Sequence, residues 1–289
     1  LVSRLDVDSE ARVPVLTARP SPTAMLTLPP AKYVIPNLVT LSASLCGFVS
    51  LWMASQATSA AEFYTAASLI AFAVFLDGFD GRVARMLNAQ TKMGGQLDSF
   101  SDFLTFGVSP AVLIYAWGLR PLGFAGLLIA FLFAASVMVR LARFNVEAET
   151  KGGASRFFTG LPSPMGGLAV AALVGVNAGV LERDEAADAI VPSLALFVVL
   201  VALLMVSNVP FRTFKDLRPD WRTRGAVLSL IGLQVLVGIR AGFVAALAVG
   251  LLAYLGFHLT GGLLTATRAV RAGRGRGSSV ADDDEDDEA

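Results

Sequence analysis

Apolar residues gather in long runs along this chain, and short polar stretches rich in Arg, Lys, Pro or acidic residues separate them. A helix needs about 20 apolar residues to cross the hydrocarbon core of a bilayer. Eight segments reach or approach that length: 33–54, 62–85, 96–118, 122–143, 163–181, 189–207, 225–239 and 241–264. The seventh is short and carries Gln234 and Gly238, so counts of six or seven stay open beside eight. No succession of short alternating segments appears, which argues against a transmembrane β-barrel. Helices satisfy their own backbone polar groups in lipid. The expected fold is therefore all-α, a polytopic membrane bundle of about eight helices, six at the fewest.

The basic residues bear on the count. With eight spans both termini lie on one side of the membrane. That side then receives 20 of the 23 Lys and Arg residues, and only Arg120, Arg183 and Arg240 fall on the other. Positive residues stay cytoplasmic, so both termini are expected inside a bacterial-type cytoplasmic membrane. Residues 1–30 contain no long apolar core, and no cleaved signal peptide is expected there.

Composition narrows the class further. The chain has 289 residues, of which 55% are hydrophobic and 16% charged. A soluble domain carries about 25% charged residues, so a water-covered monomer and a disordered chain are poor fits. Cys46 is the single cysteine, which excludes an intramolecular disulfide. Net charge is zero, yet seven acidic residues fall among the last nine, so local distribution says more than the total. Four regions follow: a cytoplasmic N-terminal segment 1–32, a membrane core 33–216, additional helices 217–264, and a disordered basic then acidic tail 265–289. Membrane lipids are expected partners and nucleic acid is not.

Acidic residues inside membrane segments are costly and mark functional sites by default. Asp77 and Asp80 lie near the end of the second span, and Asp98 and Asp102 near the start of the third. Asp77, Asp80, Gly81, Ala84 and Arg85 share one helical stripe, and Gly94, Asp98 and Asp102 share another. The link 86–93 is short enough for an antiparallel hairpin, so four carboxylates are expected to converge. Four such charges repel one another unless a cation joins them. All-oxygen ligation suits Mg²⁺ or Mn²⁺. Gly81, Ala84 and Gly94 let a bulky ligand approach the backbone, and Arg85 suits phosphate. The bland alternative is that the acids pair with Arg82, Arg85 and Lys92 while the small residues only allow close packing.

This run resembles, position for position, the D-x2-D-G-x2-A-R-x8-G-x3-D-x3-D motif of the CDP-alcohol phosphatidyltransferases. The resemblance implies an enzyme that moves a phosphatidyl group from a CDP-linked lipid to an alcohol and releases CMP. It implies Asp77, Asp80 and Asp98 as ligands of two divalent ions. Asp102 would be the general base and also touch the second ion. Asp77, Gly81, Ala84, Arg85 and Gly94 would sit around the CDP moiety, with Asn37 and Thr40 of the first span on its cytidine side. Homodimerisation is a family expectation.

The motif does not name the alcohol. Ile35–Thr40, Phe106–Pro110, Arg140–Asn145, Gly160–Pro164 and Ser207–Lys215 resemble the phosphatidylserine synthase branch, which implies CDP-diacylglycerol and L-serine as substrates. Arg140 and Arg143, three residues apart, could clamp the serine carboxylate or serve only as positive-inside anchors. Arg156, Phe158, Thr159 and Ser163 could close the acceptor pocket. Inositol phosphate or glycerol 3-phosphate would also attract arginines, so a sibling transferase stays open. A cation transporter with a four-Asp ion site explains the acids but not the small residues and Arg85 beside them.

Overall fold

The computed structural model describes residues 31–151, 157–208, 210–212 and 221–256. The chain forms α1 (Ala31–Gln56), α2 (Ala60–Met86), α3 (Lys92–Leu122) and α4 (Phe124–Lys151). A short strand β1 (Phe157–Thr159) precedes α5 (Ser163–Val180) and α6 (Val191–Val206), and β2 (Pro210–Arg212) follows. Then come α7 (Trp221–Ala241) and α8 (Phe243–Gly256). Among the described residues six helices are long and apolar enough to cross a membrane, and they match the first six expected spans. Apolar helices at 229–241 and 243–256 stand where the seventh and eighth were expected. The segments 1–30 and 257–289, including the expected tail, lie outside the described residues.

Small residues let the first helices approach closely. Ala66, Ala67, Ala71 and Ala73 of α2 have no exposed surface, and the Ser50 hydroxyl of α1 donates to the Ala66 carbonyl at 2.8 Å. Close approach of small residues with hydroxyl bonding is how membrane helices associate when lipid tails are as apolar as the side chains. Large apolar side chains such as Trp52, Phe72, Phe131 and Leu200 face outward, as a lipid-facing surface requires.

A ladder of hydroxyls pins α3 to α1. Ser101 donates to the Thr40 carbonyl (3.1 Å), Thr105 to that of Ala43 (3.3 Å) and Ser109 to that of Gly47 (2.7 Å). The same stretch departs from a regular α-helix. Phe103–Val108 is π-helical, as is Tyr115–Leu119. Pro110 lacks the N–H that a regular turn would use, and Ser109 also donates to the Leu104 carbonyl at 2.8 Å. Such π-turns often accompany functional sites, and this one begins directly after Asp102.

One short ribbon joins two loops of the all-α bundle. β1 and β2 pair antiparallel, with Phe158 opposite Phe211, so the α4–α5 and α6–α7 loops are stitched together. Gly160 follows with φ +82°, and a Cβ there would lie 2.4 Å from the Met205 carbonyl oxygen. Gly242, at φ +88°, turns α7 directly into α8.

At Gly47 an added Cβ would lie 2.8 Å from the Thr105 Cα, so the two backbones must separate. Gly47→Val is expected to cost about 1–3 kcal/mol, as overpacking does. Thermal unfolding in detergent checks this, with Gly232→Ala, where a Cβ meets nothing within 4 Å, as the unaffected control.

Candidate active site

α2 and α3 form the expected hairpin. Thr91 caps α3, its hydroxyl accepting the Gly94 N–H at 2.9 Å, and Asn88 takes the left-handed conformation (φ 48°) in the link, which Asn tolerates. The hairpin brings Asp77 to Asp98 and Asp102. One carboxylate oxygen from each lies within 4.8 Å of the other two. Asp77 and Asp102 are within hydrogen-bonding reach of each other.

Asp80 stands beside that trio and lines the same small cavity as Asp98. It is buried, its Oδ2 accepting the Thr40 hydroxyl at 2.9 Å and its Oδ1 accepting the Gly81 N–H. Three residues along a helix leave about 60° of rotation. Asp77 therefore turns toward α3 while Asp80 turns toward α1.

The trio fits a hard divalent cation. Three oxygens from separate residues meet in one half-buried place, and such ions take carboxylate oxygen. Without a positive partner their repulsion would oppose this arrangement. None of the three forms an ion pair with Arg82, Arg85 or Lys92, as the alternative reading required.

Two cavities flank the carboxylates. The smaller, about 200 Å³, is lined by all six residues expected near the nucleotide other than the metal ligands: Asn37, Thr40, Gly81, Ala84, Arg85 and Gly94. Asp80 and Asp98 complete its wall, and Asp77 is absent from it. A Cβ on Gly94 would lie 3.4 Å from the Asn37 side-chain oxygen, so glycine keeps this wall open. The larger, about 560 Å³, is lined by Asp98, Asp102, Lys92, Ser99, Arg140, Asn145 and Ser163 among others. Asp98 and Gly95 belong to both.

Arg140 and Ser163 meet, the guanidinium Nη1 donating to the Ser163 hydroxyl at 2.7 Å. The buried Arg140 Nε has no hydrogen-bond partner. Arg143 does not line the cavity; it pairs with Glu147 at 3.1 Å on the surface. Arg156 lies outside the described residues. Sequence reasoning missed Gln90, Thr91, Gly95, Gln96 and Ser99 on the cavity walls. Two signals pointed to them: a Thr ahead of the helix is an N-cap, and Lys92, Gln96 and Ser99 share a helical stripe with the i, i+4, i+7 spacing.

The sequence profile described as CDP-alcohol phosphatidyltransferase matches residues 33–207. The chain belongs to this family. A CDP-diacylglycerol–serine O-phosphatidyltransferase of Helicobacter pylori is 34% identical over 204 residues, covering 70% of this chain and 81% of its own. An enzyme of that name from Mycobacterium tuberculosis is 30% identical over 213 residues, 72% of this chain and 71% of its own. The Bacillus subtilis one is 33% identical over 181 residues, 63% and 91%. CDP-alcohol phosphatidyltransferases are generally dependent on divalent metal, and this member carries the acidic cluster such an ion needs. Its α7 and α8 lie beyond the matched segment.

Asp98 belongs to the trio and to both cavities. Asp98→Asn is expected to weaken Mn²⁺ binding by more than the about tenfold that outer-shell changes cost. Titration calorimetry of the purified protein checks this, and unchanged affinity would take Asp98 out of the ligand set.

Proposed function

We propose that this chain transfers the phosphatidyl group of CDP-diacylglycerol to the hydroxyl of L-serine, giving phosphatidylserine and CMP. The observation that carries the reading is the pair of neighbouring cavities that share Gly95 and Asp98 in their lining, with the carboxylate trio beside them. A nucleotide in one and an alcohol in the other would meet there.

Each residue then has a role. Asn37 and Thr40 would face the cytidine side, while Gly81, Ala84 and Gly94 make room for the diphosphate and Arg85 pairs with it. Asp77, Asp98 and Asp102 would hold the divalent ion, Mg²⁺ or Mn²⁺, with Asp80 alongside; two ions are the expectation from the family motif. Bound there, the metal would neutralise charge on the diphosphate and the leaving nucleotide. Asp102 would take the serine hydroxyl proton as that oxygen bonds the lipid-side phosphorus. The bond from phosphorus to the CMP oxygen breaks, and CMP leaves with its electron pair. Proximity compensates for a carboxylate's weak basicity.

Arg140 is the favoured partner for the serine carboxylate. It lines the acceptor-side cavity beside Asp102, and Ser163 braces it. The surface pair with Glu147 draws Arg143 away from that task. Names of the relatives support serine over inositol phosphate or glycerol 3-phosphate. The distribution of basic residues supports a cytoplasmic site and cytoplasmic termini. Homodimerisation is carried over from the family resemblance alone.

A radiolabelled headgroup panel tests the reading. Purified protein with CDP-diacylglycerol and Mg²⁺ is expected to label phosphatidylserine from serine, and to leave inositol phosphate and glycerol 3-phosphate unused. A different labelled lipid would replace serine as the acceptor. Arg140→Ala is expected to raise the KM for serine by about tenfold or more, as loss of a charged hydrogen-bond partner does, with the KM for CDP-diacylglycerol nearly unchanged. Asp102→Asn is expected to lower kcat while CDP-diacylglycerol binding persists; parallel losses of both would remove the base assignment.

A further inference from the structure

The turn that carries Ser163 into the acceptor-side cavity rests on the end of α6. Pro162, Ser163 and Pro164 line that cavity, and Ser163 is fully buried. The two prolines have fixed φ and stiffen the segment. The Gly166 N–H closes the first turn of α5 on the Pro162 carbonyl at 3.0 Å. The segment therefore moves as one piece, and its place depends on what it rests against. Leu161 donates its N–H to the Leu204 carbonyl at 3.1 Å. Met205, the next residue along and also buried, meets the glycines on both flanks of the turn. Its carbonyl oxygen leaves no space for a Cβ on Gly160, and its sulfur would lie 2.6 Å from one on Gly166. No residue of α6 lines either cavity. On the cavity side the same segment fixes Arg140. Among the described residues one hydrogen bond holds its head, from Nη1 to the Ser163 hydroxyl at 2.7 Å. A hydroxyl displaced by about 1 Å would leave hydrogen-bonding range.

We infer that Met205 is a positioning residue for the acceptor side of the site. Seated against Gly160 and Gly166, it sets where Ser163 stands and so where the Arg140 guanidinium points. An arginine head that is already braced gives up less freedom when a carboxylate docks on it. Truncating Met205 would let the turn settle toward α6 and draw the Ser163 hydroxyl away from Nη1. The nucleotide side would not feel the change, because its cavity is built from α1 and the α2–α3 hairpin. The inference rests on the reading of Arg140 as the clamp for the serine carboxylate.

Steady-state kinetics of the purified full chain test it. Met205→Ala removes the thioether arm and keeps a good helix former. It is expected to raise the KM for serine about fivefold, part of the effect of losing a hydrogen bond to a charged group. The KM for CDP-diacylglycerol is expected to stay unchanged. Met205→Leu conserves volume and is expected to keep the wild-type serine KM. In a Ser163→Ala background Met205→Ala is expected to have no further effect on that KM, because both changes act through one bond. An unchanged serine KM, equal shifts in both KM values, or the same fold-change retained in the Ser163→Ala background would each overturn the inference. Should Met205→Ala fail to fold, Met205→Val removes less volume and reads the same split. If the wild-type protein makes phosphatidylserine and Met205→Ala behaves as wild type, this inference falls alone. If the wild-type protein makes none, the proposed function falls first.

Discussion

Asp77, Asp98 and Asp102 have to sit together at the edge of a membrane although they repel one another. That constraint organises the rest of the structure. The polar ladder between α1 and α3 fixes where α3 lies, through Ser101, Thr105 and Ser109. The Thr91 cap fixes where it begins. A π-turn, Phe103–Val108, follows directly after Asp102. Each device is local, and together they hold carboxylates where a flexible hairpin would let them separate.

Asp80 and Asp98 line one cavity on the α1 side of the site. Thr40 ties Asp80 to α1, whose Asn37 lies on the same wall. The trio faces α3 and the cavity that continues to α4 and α5. A small cleft with glycine and alanine walls suits a flat nucleotide that must approach the backbone. A larger cavity with Arg140, Lys92 and hydroxyls suits a small charged alcohol. The two cavities share Gly95 and Asp98 in their lining.

Much of this was legible in the residues. The six long spans follow from apolar length alone, and the hairpin follows from its two stripes. All the small residues assigned to the nucleotide line one cleft. What escaped had physical reasons. The Thr40 bond to Asp80 depends on how α1 packs on α2, which a stripe argument within one helix does not reach. The difference between Arg140 and Arg143 depends on Glu147, one turn further on, which captures the second arginine. The ribbon joining β1 to β2 links segments about fifty residues apart, and three-residue strands leave no periodic signal.

The ribbon bears on how such an enzyme chooses its alcohol. The carboxylate motif concerns the diphosphate, which every reaction of this type shares. Acceptor recognition must come from elements the motif does not reach. Here those elements converge from distant parts of the chain. Arg140 comes from α4, and Ser163 begins α5 just after the stitched loop. Leu161 ties that loop to the end of α6 through a bond from its N–H to the Leu204 carbonyl at 3.1 Å. A headgroup preference built this way can change without disturbing the hairpin, because the acceptor-side cavity draws on α4 and the start of α5, whereas the carboxylates and the smaller cavity rest on α1, α2 and α3.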